Sequence, residues 1–247
     1  MSSSSENLQS VLENSEENAQ FWRIIIALFV VFITTAIFLI WKSRKILRRG
    51  VLVVGLCDSG KTLLFSQLVY KKPRESFTSM QENTGDMAIQ NKGSLKIIDI
   101  PGHERVRQRY LDTYKASARA VIFVIDSLTF SKDIRDVAEY LYTILTDPVI
   151  SGNCPPFLIA CNKQDYDLVK GQQVMKSQLE KEINVLRTTR LNQLQATSST
   201  GSSTTFLGIE GKDFEFSHLH SIRVDFSEIS AREGTLDPLI KWIHSVA

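Results

Sequence analysis

Cysteine is scarce: Cys57, Cys154 and Cys161 are the three in 247 residues, an odd set without metal-ligand spacing and without a histidine cluster beside it. That argues against a disulfide framework and against a zinc site, and it suits a reducing compartment. Excess positive charge is also lacking over most of the chain. Lys42, Arg44, Lys45, Arg48 and Arg49 give +5, while Glu6, Glu13, Glu16, Glu17 and Arg23 sum to −3, so a total of +2 leaves residues 50–247 formally neutral. A neutral domain lacks the electrostatic footprint of phosphate-backbone binding, and no direct nucleic-acid binding is expected. No internal repeat is visible. With 43% hydrophobic and 23% charged residues, the composition is that of a globular protein.

One long uncharged run stands out, IIIALFVVFITTAIFLIW from Ile24 to Trp41. As a helix it would cover about 27 Å, close to the hydrocarbon thickness of a bilayer. Trp22 and Trp41 bracket it at headgroup level. A core helix would need a polar face for water, and this run has none. A signal peptide would need a basic start and a small-residue cleavage site, whereas residues 1–20 are polar and acidic. A transmembrane helix over 22–41 is therefore expected, followed by a basic juxtamembrane linker at 42–50. Five Lys or Arg follow the run and only Arg23 precedes it, which places the C-terminal side in the cytosol and the tail 1–21 on the lumenal side. Ser2 excludes myristoylation and the ending HSVA offers no prenylatable Cys, so the span itself is the expected anchor.

Beyond residue 50, apolar runs alternate with amphipathic stretches: VLVVG, LKIIDI, ARAVIFVID, PFLIACNK and IRVDFSEIS are the strand candidates. Helical periodicity falls on 61–70, 130–147 and 168–186, and on Leu236, Leu239, Ile240, Ile243 and Val246. This order predicts an α/β domain over 51–247, a mostly parallel sheet flanked by helices. QATSSTGSSTT at 195–205 is small and polar, and a flexible insert is expected over about 190–212.

Three motifs stand at the ends of candidate strands. Gly55-Leu56-Cys57-Asp58-Ser59-Gly60-Lys61-Thr62, with Leu63 opening the helix, satisfies GxxxxGK[ST] between a strand and a helix. Its N–H groups and the helix end would wrap phosphates, Lys61 would reach the outer two, and the Thr62 hydroxyl would ligate Mg²⁺. Asp99-Ile100-Pro101-Gly102 follows the next apolar strand. Asp99 would hold Mg²⁺ through water, and the Gly102 N–H would meet a γ-phosphate. A capping Asp before a turn Pro-Gly would look the same in isolation. Asn162-Lys163-Gln164-Asp165 decides the base: the Asp165 carboxylate can accept two N–H donors from guanine, adenine offers no such pair, and the Lys163 stem can cover the ring. Ser230-Ala231-Arg232, after the last strand, is where a backbone N–H can meet the guanine carbonyl. Three strand-end motifs in this order predict GTP and GDP binding with Mg²⁺.

The chain resembles P-loop NTPases of the small-GTPase fold, of the Ras, Arf and Sar type, across 51–247. It is more closely similar to the signal recognition particle receptor beta subunit family. The N-terminal span, GLCDSGKTLLF, DIPGHE, SARAVIFVID, FLIACNKQD and FEFSHL carry that resemblance. It implies a single-pass protein of the endoplasmic reticulum membrane. Its cytosolic GTP-bound domain would grip the receptor alpha subunit in co-translational targeting, near ribosome and translocon. A constitutively GTP-loaded structural anchor and an Arf/Sar-type trafficking GTPase are the alternatives.

The resemblance also points to a switch hydroxyl in 71–85 that reaches Mg²⁺ and the γ-phosphate. Thr78, 21 residues before Asp99, heads a TSM triplet and is the expected ligand, with Ser79 and Thr84 open. His103 stands where Ras-like enzymes carry a water-orienting Gln, and a neutral imidazole can accept a hydrogen bond from water. Cys57 replaces a cradle Gly and would crowd the transition state, so slow unaided hydrolysis is expected.

Overall fold

A computed structural model describes residues 26–35, 48–72, 79–89, 93–197, 206–219 and 221–247. The chain divides into two units, Met1–Leu47 and Arg48–Ala247. In the first, residues 26–35 form helix α1, with Ile26, Leu28, Phe29, Val30, Val31 and Phe32 exposed. The hydroxyls of Thr34 and Thr35 donate back to the Val31 carbonyl at 2.9 and 2.8 Å, so these polar groups are satisfied inside the helix. No described helix is long and apolar enough to cross a membrane. The rest of the expected span, 22–25 and 36–41, lies outside the described residues.

The second unit contains β1 (Gly50–Val54), α2 (Lys61–Tyr70), β2 (Asn83–Ile89), β3 (Gly93–Asp99), α3 (Glu104–Tyr114), β4 (Ala118–Asp126), α4 (Phe130–Leu145), α5 (Pro148–Asn153), β5 (Phe157–Asn162), α6 (Gln172–Thr197), β6 (Val224–Glu228) and α7 (Asp237–Val246). The sheet order is β2-β3-β1-β4-β5-β6, parallel throughout except that β2 pairs antiparallel with β3. Strand β1 is buried on both faces. Its side chains alternate: Leu52 and Val54 join Phe123, Leu111, Leu141 and Leu179 in one core cluster. Val51 and Val53 join Leu64, Leu68, Leu239 and Ile243 in the other. Period-2 alternation with apolar residues on both sides is what a sheet covered by two helix layers requires.

Strand β2, NTGDMAI, was not among the sequence candidates. It is a half-exposed edge strand with one fully buried residue, Ile89, and so has no apolar run to read. Gly85 lets it lie against α2, since a Cβ there would stand 2.6 Å from Val69 Cγ1.

The first part of the segment 190–212, expected as an insert, is helical. Helix α6 continues to Thr197, and the returning chain is pinned by Arg187, 6% exposed. Its guanidinium donates to the carbonyls of Leu207 (3.3 Å), Ile209 (3.4 Å) and Lys212, and to Asn184 Oδ1 at 2.8 Å. Residues 198–205 lie outside the described residues. Replacing Arg187 by Ala removes donors from one buried and two part-buried carbonyls at once, and a loss of about 3 kcal/mol in unfolding free energy is expected by urea denaturation.

Candidate nucleotide site

The strand order turns back on either side of β1, and the carboxyl ends of β1, β3, β4 and β5 meet there, the usual position for a ligand in an open α/β sheet. The turn after β1 is built on unusual backbone: Gly55 has φ 148°, Asp58 φ 58° and Gly60 φ 89°. Gly60 is the left-handed N-cap of α2, and its carbonyl accepts the Leu64 N–H at 2.9 Å. Leu56 holds the turn from inside, its carbonyl accepting from Ser59 Oγ at 3.0 Å and from Lys61 Nζ at 2.5 Å. Lys61 is 6% exposed. Burial lowers its pKa from the ordinary lysine value, while the charges of Asp99, Cys57 and Asp58 pull it back. Its ammonium is thus compensated by anions, and phosphate would add to that.

Gly102 closes the cradle from the β3 side. A Cβ there would lie 2.7 Å from Cys57 N, Leu56 C and Lys61 Nζ, so only hydrogen fits between the two loops. Asp99, 1% exposed at the end of β3, accepts through Oδ2 from Thr62 Oγ1 at 2.8 Å and from Asn83 Nδ2 at 3.0 Å. Its Oδ1 is buried with no hydrogen-bond partner. Burial raises the Asp99 pKa, opposed by the Asn83 and Thr62 hydrogen bonds and by the charge of Lys61. The Ser79 hydroxyl lies 3.2 Å from Thr62 Oγ1. An orphaned carboxylate oxygen beside two hydroxyls and a phosphate cradle is a donor set of the kind Mg²⁺ takes, since Mg²⁺ is held by one or two protein oxygens with phosphate and water completing the shell. Among the described residues no group of three or more His, Cys, Asp or Glu could hold a metal without such help.

Asn162, 2% exposed at the end of β5, joins the turn after β1 to the Ser230-Ala231 loop: its Nδ2 donates to the Ser59 carbonyl at 2.8 Å and its Oδ1 accepts the Ala231 N–H at 2.9 Å. Lys163, at φ 68°, extends its Nζ to Asp126 Oδ2 at 2.7 Å. Asp165 Oδ1 accepts from Ser230 Oγ at 2.7 Å, and Ser230 Oγ accepts the Glu233 N–H at 3.1 Å. The segments 162–165 and 230–231 therefore form one loop cluster, with Gln67 Nε2 of α2 donating to the Ala231 carbonyl at 3.2 Å.

Of the remaining sequence candidates, His103 caps α3, its Nδ1 accepting the Arg105 N–H at 3.3 Å. Thr78 lies outside the described residues. Thr84 is exposed on β2, on the face turned away from Asp99, so of the two open alternatives it is Ser79 that meets Thr62. Four side chains were not singled out from sequence: Asp126, Asn83, Gln67 and Ser127, whose Oγ accepts from Gln164 Nε2 at 2.9 Å. Asp126 had one legible signal, a carboxylate closing an apolar strand. The others acquire partners only in three dimensions.

A parallel sheet with one antiparallel edge strand, a glycine cradle opening α2 and a carboxylate behind it define a P-loop protein of the small-GTPase fold. The family model described as signal recognition particle receptor beta subunit matches residues 47–223. The chain belongs to that family. It is 42% identical over 233 residues to the rat signal recognition particle receptor subunit beta, covering 91% of this chain and 86% of the rat protein. The structure of the mammalian SRP receptor aligns with a TM-score of 0.70 at 43% identity, over 81% of this chain and 100% of the other. The SRb-GTP/SRX complex from Chaetomium thermophilum shares the fold, with a TM-score of 0.62 at 22% identity over 79% of this chain and 97% of that chain.

Proposed function

We propose that the chain binds GTP and GDP with Mg²⁺ where β1, β3 and β5 end, and that the nucleotide controls its grip on the receptor alpha subunit. The carrying observation is the double reach of Asn162 from the cradle to the Ser230-Ala231 loop, which brings a phosphate site and a base site to the two ends of one nucleotide. In this reading Gly55–Leu63 and Gly102 hold the phosphates. Thr62, a hydroxyl of the 78–79 pair and, through water, Asp99 hold Mg²⁺, which would neutralise the phosphate charge. Lys163 covers the base, and Asp165 with Ser230 and Ala231 reads its edge. The family and the naming of GTP and SRX for the fungal relative support this reading.

His103 is the candidate to orient water. With Nδ1 accepting the Arg105 N–H, the ring nitrogen left to meet water is Nε2, which on a ring so bonded would carry a proton and serve as a donor, not as a base. That geometry favours slow unaided hydrolysis and gives weight to a second reading, a GTP-loaded structural anchor. Hydrolysis timed with and without the alpha subunit separates the two.

We also propose that 22–41 anchors the protein in the endoplasmic reticulum membrane with residues 51–247 in the cytosol. The exposed apolar side chains of α1 and its self-satisfied threonines support this. One preparation tests both parts. Membranes expressing the full chain are extracted with carbonate and the pellet is solubilised in detergent with Mg²⁺. The chain is expected in the pellet and, after gel filtration, with about one guanine nucleotide per molecule. Recovery in the supernatant sinks the span, and a nucleotide-free chain sinks the pocket.

A further inference from the structure

Resting on the proposed nucleotide site, we infer that Asn83 is a positioning residue for the metal, aiming one oxygen of Asp99. The two residues face each other across the antiparallel β2–β3 pair, in register Asn83↔Asp99. The pleat turns Asn83 inward, and its neighbour Thr84 outward. Asn83 Nδ2 and Thr62 Oγ1 both donate to the same oxygen, Oδ2, at 3.0 and 2.8 Å. The other oxygen, Oδ1, is buried and without a partner. A carboxylate rotates about one bond, so two donors on Oδ2 fix the plane of the group and with it the direction of Oδ1. Burial of the second oxygen with nothing to satisfy it is unfavourable unless a cation or its water meets it.

The division of labour then differs between the two donors. Thr62 Oγ1 is itself a candidate ligand, and if it turned to the cation it would leave Oδ2 to Asn83 alone. Asn83 presents only an amide N–H₂ to this oxygen, stays with the carboxylate and keeps Oδ1 aimed. Residues that hold a metal ligand in place this way typically alter metal affinity about 10- to 100-fold when removed.

The test uses the full chain in detergent, loaded with a fluorescent guanine diphosphate. Nucleotide release is timed across a Mg²⁺ titration and again in excess EDTA, with Mn²⁺ binding followed by electron paramagnetic resonance. For Asn83→Ala, and for Asn83→Leu, which keeps the volume but not the donor, the Mg²⁺ midpoint and the Mn²⁺ dissociation constant are expected to rise about tenfold. Release in EDTA should stay within about twofold of wild type, because phosphate and base contacts are untouched. A merely structural role would speed release equally with and without metal, and that result overturns the inference. An unchanged midpoint in both variants overturns it as well, while the wild-type Mg²⁺ dependence leaves the nucleotide site standing. A wild-type chain whose nucleotide release ignores Mg²⁺ removes the metal site and this inference together.

Discussion

Asp165→Asn is expected to weaken GTP binding by at least about a hundredfold while improving the binding of xanthosine triphosphate. In the proposed site the carboxylate accepts two N–H bonds from the guanine edge, each worth about 1.5–3 kcal/mol as a hydrogen bond to a charged group. An amide keeps one acceptor and turns the other into a donor. That donor faces the guanine amino group unfavourably, but it matches the carbonyl that xanthine carries there. The loop itself should survive the change. Ser230 Oγ now donates to Asp165 Oδ1 at 2.7 Å, and the carbonyl oxygen of Asn can take the same bond. Competition of GTP and XTP against a fluorescent nucleotide reads the result. An unaltered preference for guanine would remove Asp165 from the base site, and with it the reading of the 162–165 loop as a guanine sensor.

Gly55→Ala should be the most damaging single methyl group in the domain. Gly55 has φ 148°, and a Cβ would stand 2.3 Å from the Val124 carbonyl oxygen and 3.2 Å from its carbon. Those are backbone atoms of β4, locked between β1 and β5, so nothing nearby can swing aside. Overlap with fixed backbone plus a strained φ is expected to lower unfolding free energy by about 3 kcal/mol or more, a large part of a typical domain's margin. Gly152→Ala in α5 is the control, since its added methyl meets nothing within 4 Å, and it is expected to be neutral or slightly stabilising. Urea unfolding of both variants without added nucleotide measures the contrast; equal midpoints would mean that β1 and β4 can part to admit a side chain.

Much of the sheet was legible because its inner strands are buried on both faces and carry long apolar runs, as in ARAVIFVID of β4. Strand β2 was not, because a half-exposed edge strand that contains Asn83, Thr84, Gly85 and Asp86 gives no such run. The end of α6 was hidden for a related reason. QATSSTGSSTT has the composition of a loop, yet its first residues continue a helix whose middle, Arg187, holds the returning chain. Asn83 lies in that same poorly legible strand, so its bond to Asp99 could be seen only once register was known. Ser79 gained weight over Thr84 only in three dimensions, since the pleat of β2 leaves Thr84 exposed while Ser79, ahead of the strand, meets Thr62.

By itself the sequence determined which residue types stand at each strand end: glycines where backbone must turn through positive φ, Lys61 and Thr62 at the start of a helix, a carboxylate closing β3, and Asn-Lys-Gln-Asp beginning at the last residue of β5. Each of these is a local pattern, set by neighbours a few residues apart. Only the tertiary structure decided that they lie together. Asn162 bonds to Ser59 across 103 residues and to Ala231 across 69, and no local rule specifies such partners. Sheet order and register bring them together, and those follow from burying two apolar faces at once, a property of the whole fold and not of any segment.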